Sequence, residues 1–211
     1  MCNTRNKTSL QKRFFADKNA LVEFLMDPSF AGAYGFEIDS VGNGEYVMNM
    51  KWVCDWEEVQ SRMQTDFPTK RTSRDALKDK TEEERTAILQ HNREQYIMRS
   101  KRANEVYTIK TKSHPIGRSL AIQLHKTYVS LIGNHKNTGI PNISKDGYTA
   151  VFRCVVGDEI WNFSTRNPLG AFKELTDLCE DIANDVKENK KDINEDEYVR
   201  RLEELMNAKS L

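Results

Sequence analysis

The clearest structural signal in the chain lies in residues 36–52, whose sequence is FEIDSVGNGEYVMNMKW. Apolar side chains recur at every second position on both sides of Asn43-Gly44, a dipeptide that strongly favours a two-residue turn. The alternating side chains are Phe36 and Ile38 before the turn and Tyr46, Met48, Met50 and Trp52 after it. This pattern predicts an antiparallel β-hairpin with one apolar face.

A second hairpin is predicted near the other end of the chain. Residues 147–156 and 159–165 alternate in the same way and are joined through Gly157-Asp158. A short strand within residues 137–143 is expected beside them, which would give a three-stranded antiparallel sheet. Because the side chains alternate, one face of this sheet would pack on a helix and the other would remain open.

Helices are predicted around the second hairpin. Asn167 and Pro168 are expected to begin one as the N-cap and the first helical residue. Its apolar stripe consists of Phe172, Leu175, Leu178, Cys179, Ile182 and Val186. Residues 116–133 are apolar on more than one face and should form the most buried helix. Asn194 and Glu197 form a capping box before a final amphipathic helix.

The segments around the first hairpin are more polar. Residues 10–16 are expected to form a strand, and a helix capped by Asp17 is expected to end at Pro28. After the hairpin, helical spacing predicts a helix over residues 56–67, followed by a charged connection over 69–80. Thr81 and Glu84 then form a capping box that opens a long helix to about residue 104.

Together these elements predict an α+β protein. Its N-terminal unit, residues 1–68, is expected to contain a strand, a helix, a hairpin and a second helix. A helical middle over residues 69–115 follows. Residues 116–211 are expected to hold a helix, the three-stranded sheet with its covering helix, and the final amphipathic helix.

Composition narrows the class of protein. The 211 residues are 38 % hydrophobic and 30 % charged, and no apolar stretch reaches the roughly 20 residues of a membrane span. The four cysteines lie far apart and form no CxxC pair, which is typical of separate thiols in a reducing compartment. We therefore expect a cytoplasmic protein without a membrane segment.

The net charge of zero hides a separation of charge along the chain. Residues 93–145 contain ten Lys and Arg against two acidic residues, whereas residues 146–211 contain nine against fifteen. A basic middle and an acidic end indicate either a phosphate-binding surface or two parts of the protein that attract each other, within one chain or across a homodimer.

No motif of a known reaction is present. The chain has no phosphate-binding loop, no dinucleotide fingerprint and no GxSxG nucleophile. His114, His125 and His135 are the best candidates for a metal site, but their spacing is unfavourable because Pro115 separates the first from the helix that holds the second. We therefore expect no cofactor and no metal, and favour a protein without catalytic activity.

A family resemblance covers residues 137–185. Residues 136–140 have the sequence Lys-Asn-Thr-Gly-Ile, Ala150 stands between aromatic side chains at 148 and 152, and Gly157 precedes the last strand and the closing helix. This segment resembles the Apetala-two-type DNA-binding domain of plant transcription factors and of accessory modules of phage homing endonucleases and integrases. It departs from the family in offering a single arginine on the second strand's open face, and no HNH nuclease core is traceable in residues 91–135.

The resemblance implies that the open sheet face lies in the major groove of double-stranded DNA. The residues implied on this face or at its edge are Thr149, Arg153 and Arg166, with either Trp161 or Asn162 beside them. The basic middle would contact phosphates. Its candidate residues are Arg99, Lys101, Arg102, Lys110, Lys112, Arg118, Lys126, Lys136 and Lys145.

Two alternatives remain open at this point. The chain could be a small viral or mobile-element protein that binds and inhibits a host protein through its acidic C-terminal helices, with Tyr198, Leu202 and Leu205 as the docking face. It could also be an enzyme whose acid, base and nucleophile are brought together only by folding.

Overall fold

A computed structural model of the chain describes residues 9–15, 20–135, 146–188 and 193–208. These residues confirm the predicted α+β class: they form seven helices and one six-stranded antiparallel sheet. The strands are β1 (Val22–Pro28), β2 (Tyr34–Gly42), β3 (Glu45–Val53), β4 (Ile109–Ile116), β5 (Tyr148–Val156) and β6 (Glu159–Arg166). The helices are α1 (Ser9–Phe14), α2 (Trp56–Asp66), α3 (Arg74–Leu77), α4 (Glu82–Val106), α5 (Arg118–Gly133), α6 (Ala171–Lys187) and α7 (Glu195–Asn207).

The chain divides into two compact units. Unit 1 consists of Met1–Val53 together with Ile109–Leu211, and unit 2 consists of Cys54–Thr108. The boundaries of these units differ from those of the segments expected from the sequence, which were residues 1–68, 69–115 and 116–211. The difference arises because β1 pairs with β5, which joins the two ends of the chain in one sheet.

Both predicted hairpins are present in unit 1. β2 and β3 pair antiparallel with Phe36 opposite Met50 and with a register shift between Ser40 and Gly42, and the turn residues Asn43 and Gly44 have φ of 52° and 77°. Two positive φ angles are the requirement of the tight turn that Asn-Gly favours. β5 and β6 form the second hairpin around Gly157, whose φ is 59°.

The two hairpins belong to a single sheet with the order β4-β3-β2-β1-β5-β6. A separate three-stranded sheet was expected at the C-terminal end, with a strand from residues 137–143. Those residues lie outside the described part of the chain, and the second neighbour of β5 is β1. The strand pairing that builds the sheet therefore spans more than a hundred residues of sequence.

One face of the sheet is covered by α5, α6 and α7 and contains the main core. Phe24 of β1 lies between Phe36 and Phe152 of the neighbouring strands, with ring centroids 5.5 and 5.6 Å away. Tyr128 of α5 meets Phe152 edge-on at 5.4 Å. Aromatic contacts of this kind add to the free energy gained from burial.

The N-terminal predictions are wrong in type. Most of the predicted strand at residues 10–16 belongs to α1, and the part of the expected helix before Pro28 that the structure describes forms β1; Asp17, its predicted cap, lies outside the described residues. The five residues 22–26 are all buried because β1 is a central strand covered on both faces. A continuous buried run has no period of two, so its spacing can match that of a helix equally well.

The start of α6 also differs from the prediction. α6 begins at Ala171 after Gly170, and Asn167 has a φ of 47° rather than an N-cap conformation. The Asn167 carboxamide instead accepts a hydrogen bond from the Tyr148 amide at 3.0 Å and donates one to the Asp146 carbonyl at 3.1 Å. Asn167 therefore ties the end of β6 to the start of β5.

Unit 2 is built on α2 and α4. The predicted capping box is confirmed: Thr81 Oγ1 accepts from the Glu84 amide at 3.2 Å, and the Glu84 carboxylate accepts from the Thr81 amide at 2.8 Å. The ends of the unit meet where the Asp55 carboxylate accepts the Thr108 amide at 2.9 and 3.0 Å. Few side chains of α4 are buried, so much of this long helix faces solvent.

Candidate nucleic-acid interface

The face of the sheet that α5 to α7 leave uncovered carries a row of polar side chains. Register places them directly opposite one another on all six strands. In sheet order they are Ser113, Asn49, Glu37, Glu23, Arg153 and Asn162. Thr149 and Arg153 are on this face, in agreement with the predicted alternation along the strand.

Arg153 is not presented to solvent. Its guanidinium lies 2.5 Å from the Glu23 carboxylate, the residue is 5 % exposed, and its charge sits 5.1 Å from the centre of the Phe15 ring. Lys51 is held similarly, 2.8 Å from Glu37 and 2.7 Å from the Phe14 carbonyl. The expectation that Arg153 reads bases does not hold in this structure, because the side chain lies under the N-terminal helix and compensates a buried carboxylate.

The other predicted sheet residues are divided between two faces. Trp161 points toward the helices, where it contacts Gly133, while Asn162 lies on the opposite face in register with Arg153. Arg166 is half-buried and donates to Ser29 Oγ at 3.0 Å. Burial raises the pKa of Asp27, and the positive charge of Arg166 partly opposes this effect. These residues do not form one continuous DNA-reading surface.

The predicted phosphate contacts of unit 1 lie elsewhere. Arg118 and Lys126 are exposed on α5, on the helical side of the sheet. Lys110 is exposed on β4, whereas Lys112 donates to the Val186 carbonyl at the end of α6. Lys136 and Lys145 lie outside the described residues.

The predicted docking face of α7 is buried. Tyr198, Leu202 and Leu205 are 6 %, 0 % and 5 % exposed and belong to the main core. Tyr198 also donates a hydrogen bond to Asp185 at 2.7 Å. A partner that bound α7 would have to contact its charged outer side.

Unit 2 holds a basic segment tightly against α4. The Lys70 amide donates to Asn92 Oδ1 at 2.8 Å, and Asn92 Nδ2 donates back to the Lys70 carbonyl at 2.8 Å. Two turns further along α4, Arg99 donates to the Phe67 carbonyl at 2.8 Å. These three hydrogen bonds fix residues 67–70 beside the middle of the helix.

Exposed cations and one exposed aromatic ring meet at this position. Tyr96 is 68 % exposed. Asn92 and Arg93 precede Tyr96 by one turn and share its side of the helix, and Asn92 holds the Lys70 backbone there. We define the Tyr96 surface by its exposed side chains, which are Lys70, Arg71, Arg93 and Tyr96.

The cations of this surface were not anticipated from the sequence. Of the candidates on α4, Lys101 follows Tyr96 by five residues and therefore lies on another side of the helix. Arg99 has a guanidinium used within unit 2, and Arg102 pairs with Glu105 at 3.1 Å. Lys70 and Arg71 were assigned to an aperiodic connection. The signal that could have found them is Asn92, a polar residue on the inner side of α4 whose carboxamide needs a backbone partner.

The histidines considered as metal ligands have separate surroundings. His125 Nε2 lies 2.6 Å from the Val155 carbonyl, and the His135 ring packs on Phe163 and Phe172. Among residues 9–15, 20–135, 146–188 and 193–208, no three His, Cys, Asp or Glu side chains are grouped as a metal site.

Comparisons with protein-family models, with curated proteins and with solved structures found no match to this chain. The described helices include none that is long and apolar enough to cross a membrane.

Proposed function

We propose that this chain is a nucleic-acid-binding protein that contacts its ligand through the Tyr96 surface of unit 2. The observation that carries the proposal is the exposed ring of Tyr96 on α4, next to a basic segment that Asn92 fixes to the same helix. Lys and Arg side chains supply affinity by releasing counterions from phosphates. An exposed aromatic ring supplies a stacking platform for unpaired bases.

The arrangement favours single-stranded nucleic acid over a duplex. Bases in a duplex are already stacked on one another, whereas those of a single strand can lie on an aromatic ring. The Tyr96 side chain leaves the surface of a helix and is mostly exposed to solvent, so a base can approach it. Contacts of this type bind many sequences, because phosphates and ring faces carry little sequence information.

The proposed base contact lies in unit 2 and not on the sheet, where base contacts were predicted from the sequence. On the sheet, the arginine expected to read bases is enclosed between Glu23 and Phe15. In unit 2, the cations that surround Tyr96 are exposed to solvent. A surface that combines exposed cations with an exposed ring suits phosphate and base contacts better than a buried ion pair does.

Fluorescence anisotropy with the full chain and labelled single-stranded and duplex oligonucleotides of equal length tests the proposal. Tyr96→Ala should weaken single-strand binding by about 1–3 kcal/mol, while Tyr96→Phe, which keeps the ring, should retain most of it. The matched control is Phe30→Ala, because Phe30 is an aromatic residue of unit 1 that is 72 % exposed.

Absence of binding by the unmodified chain at low salt would overturn the proposal. An equal loss in Tyr96→Ala and Phe30→Ala would overturn the assignment of the surface. Retained affinity in Tyr96→Ala combined with a preference for the duplex would show that phosphates alone are contacted, and the single-strand preference would then be wrong.

A further inference from the structure

The sheet ends in two edge strands that differ in their protection. β4 contains Lys110, Lys112 and Pro115. Lysine and proline are the residues that commonly keep an edge strand from pairing with another chain. β6, at the opposite edge, consists of eight residues without lysine or proline, and its sequence is EIWNFSTR.

The side chains of β6 remain partly or fully accessible to solvent. None of its eight residues is buried, whereas the five residues 150–154 of the adjacent strand β5 all are. Ile160 is 41 % exposed, and Trp161 and Phe163 are half-buried on the helical side. In the described part of the chain β6 has a strand neighbour on one side only, which is β5.

We infer that β6 is a dimerisation strand, which pairs antiparallel with β6 of a second copy of this chain. The two sheets would then form one continuous sheet of twelve strands around a twofold axis perpendicular to its plane. Backbone hydrogen bonds between the two β6 strands would supply much of the association energy, as in other cases of strand addition.

The sequence of β6 is complementary to itself in this orientation. Its acidic end, Asp158 and Glu159, would lie beside Arg166 of the copy, and the same contact would recur at the other end of the paired strands. Opposite charges across neighbouring strands stabilise pairing, while like charges destabilise it. A parallel arrangement would instead place like charges side by side.

The faces of the sheet restrict the register. A twofold axis perpendicular to the sheet keeps both sets of helices on one side, so residues that face each other must have the same orientation. With Asn162 of both copies at the axis, Trp161 lies opposite Phe163 of the copy on the helical face. Aromatic pairs of this kind are among the most favourable between neighbouring strands.

These aromatic side chains are already ordered within one chain. The Phe163 ring stacks on Phe172 with centroids 4.1 Å apart, and Trp161 Nε1 donates to Glu159 at 3.2 Å. Less side-chain entropy is therefore lost when the two strands associate. The inference rests on the edge of unit 1 and is independent of the nucleic-acid proposal.

Sedimentation velocity of the full chain across a hundredfold range of concentration tests the inference. We expect a shift toward twice the mass of 24.4 kDa as concentration rises. Ile160→Lys combined with Ser164→Lys places two lysines on exposed positions of β6 and should leave the chain monomeric. The matched control, Val41→Lys, changes an exposed residue at the end of β2 and should associate as the unmodified chain does.

Three results would each overturn the inference. A monomer at every concentration in the unmodified chain would overturn the inference, whether or not the lysine variant folds. Unchanged association in a folded Ile160→Lys/Ser164→Lys variant, or equal loss in Val41→Lys, would also overturn it. In a Cys2→Ser/Cys54→Ser background, Asn162→Cys should form an intermolecular disulfide under mild oxidation, and failure of the associated form to cross-link would contradict the register.

Discussion

The cations within the sheet of unit 1 and those around Tyr96 in unit 2 have different surroundings. In unit 1, Arg153, Lys51 and Lys112 are bound to carboxylates or carbonyls of the same unit. In unit 2, Lys70, Arg71 and Arg93 are exposed around Tyr96. A cation that compensates a buried carboxylate is costly to move, whereas an exposed cation can meet a phosphate without losing an internal partner. Whether a basic residue can bind a ligand is determined by its position in the fold and not by the number of basic residues in its segment.

The largest expected contrast between the units is in thiol reactivity. In a Cys2→Ser variant, Cys54 of unit 2 should react about a thousandfold faster than Cys154 and Cys179 of unit 1, because a buried thiol reacts only after the structure opens. Burial also raises the pKa of Cys179 to about 12, which suppresses its thiolate at neutral pH. Mass spectrometry of alkylated peptides over time measures the three rates.

The control for the thiol experiment is the same reaction in denaturant, where the three rates should converge. Equal rates in native buffer would mean that the core around Cys179 opens as readily as the exterior of unit 2. That result would remove the distinction between a closed unit 1 and an accessible unit 2.

A second large effect is expected at the buried ion pair. Arg153→Met should lower the free energy of unfolding by about 3–5 kcal/mol, because it leaves the Glu23 carboxylate buried without its cation. Urea denaturation followed by circular dichroism measures the loss. Arg118→Met, the same change at an exposed position on α5, should stay within about 0.5 kcal/mol of the unmodified chain. Similar stability of the two variants would show that Arg153 is not required to compensate Glu23.

The capping box of α4 should have a smaller effect on unit 2. Thr81→Ala removes the acceptor for the Glu84 amide and should destabilise the helix by about 1 kcal/mol. Hydrogen exchange of the α4 amides reports this change locally. Thr86→Ala, an exposed position inside the same helix, should not destabilise it, because alanine is the better helix former. Equal exchange in both variants would contradict the role of the cap.

The smallest effect is expected where Asn92 holds Lys70. Asn92→Ala removes both hydrogen bonds to the Lys70 backbone and should weaken single-strand binding about two- to fivefold, because the segment then has to be ordered on binding. Anisotropy titrations give the affinity. Asn134→Ala at the end of α5 is the matched change in unit 1 and should have no effect. A loss of the same size in both variants would argue against a preordered segment.

The features that could be predicted from the sequence are those that depend on short-range patterns. The hairpin around Asn43-Gly44 and the Thr81 capping box depend on residues that are close in the chain, and both are confirmed. The type of β1 could not be predicted, because a strand buried on both faces has no polar alternation. Its central position depends on pairing with β5, more than a hundred residues away.

The candidate site shows the same limit. The alternation of β5 correctly placed Arg153 on the face away from the helices, but the pattern contains no information about Glu23 or Phe15, which enclose it. Likewise, the charge count identified a basic middle without distinguishing Arg99, bound to Phe67, from the exposed Arg93. Contacts between distant residues decide which of these cations are available to a ligand.

The salt dependence of single-strand binding tests the central claim most directly. Two variants remove three exposed cations each: Lys70→Gln/Arg71→Gln/Arg93→Gln in unit 2 and Lys110→Gln/Arg118→Gln/Lys126→Gln in unit 1. Since both lower the net charge equally, a general electrostatic effect would change them alike. We expect the unit 2 variant to lose about two units of slope in log K against log salt, at about 0.7 per phosphate contact, and the unit 1 variant to keep its slope. The reverse result, or the same slope in all three proteins, would contradict the assignment of the ligand to the Tyr96 surface.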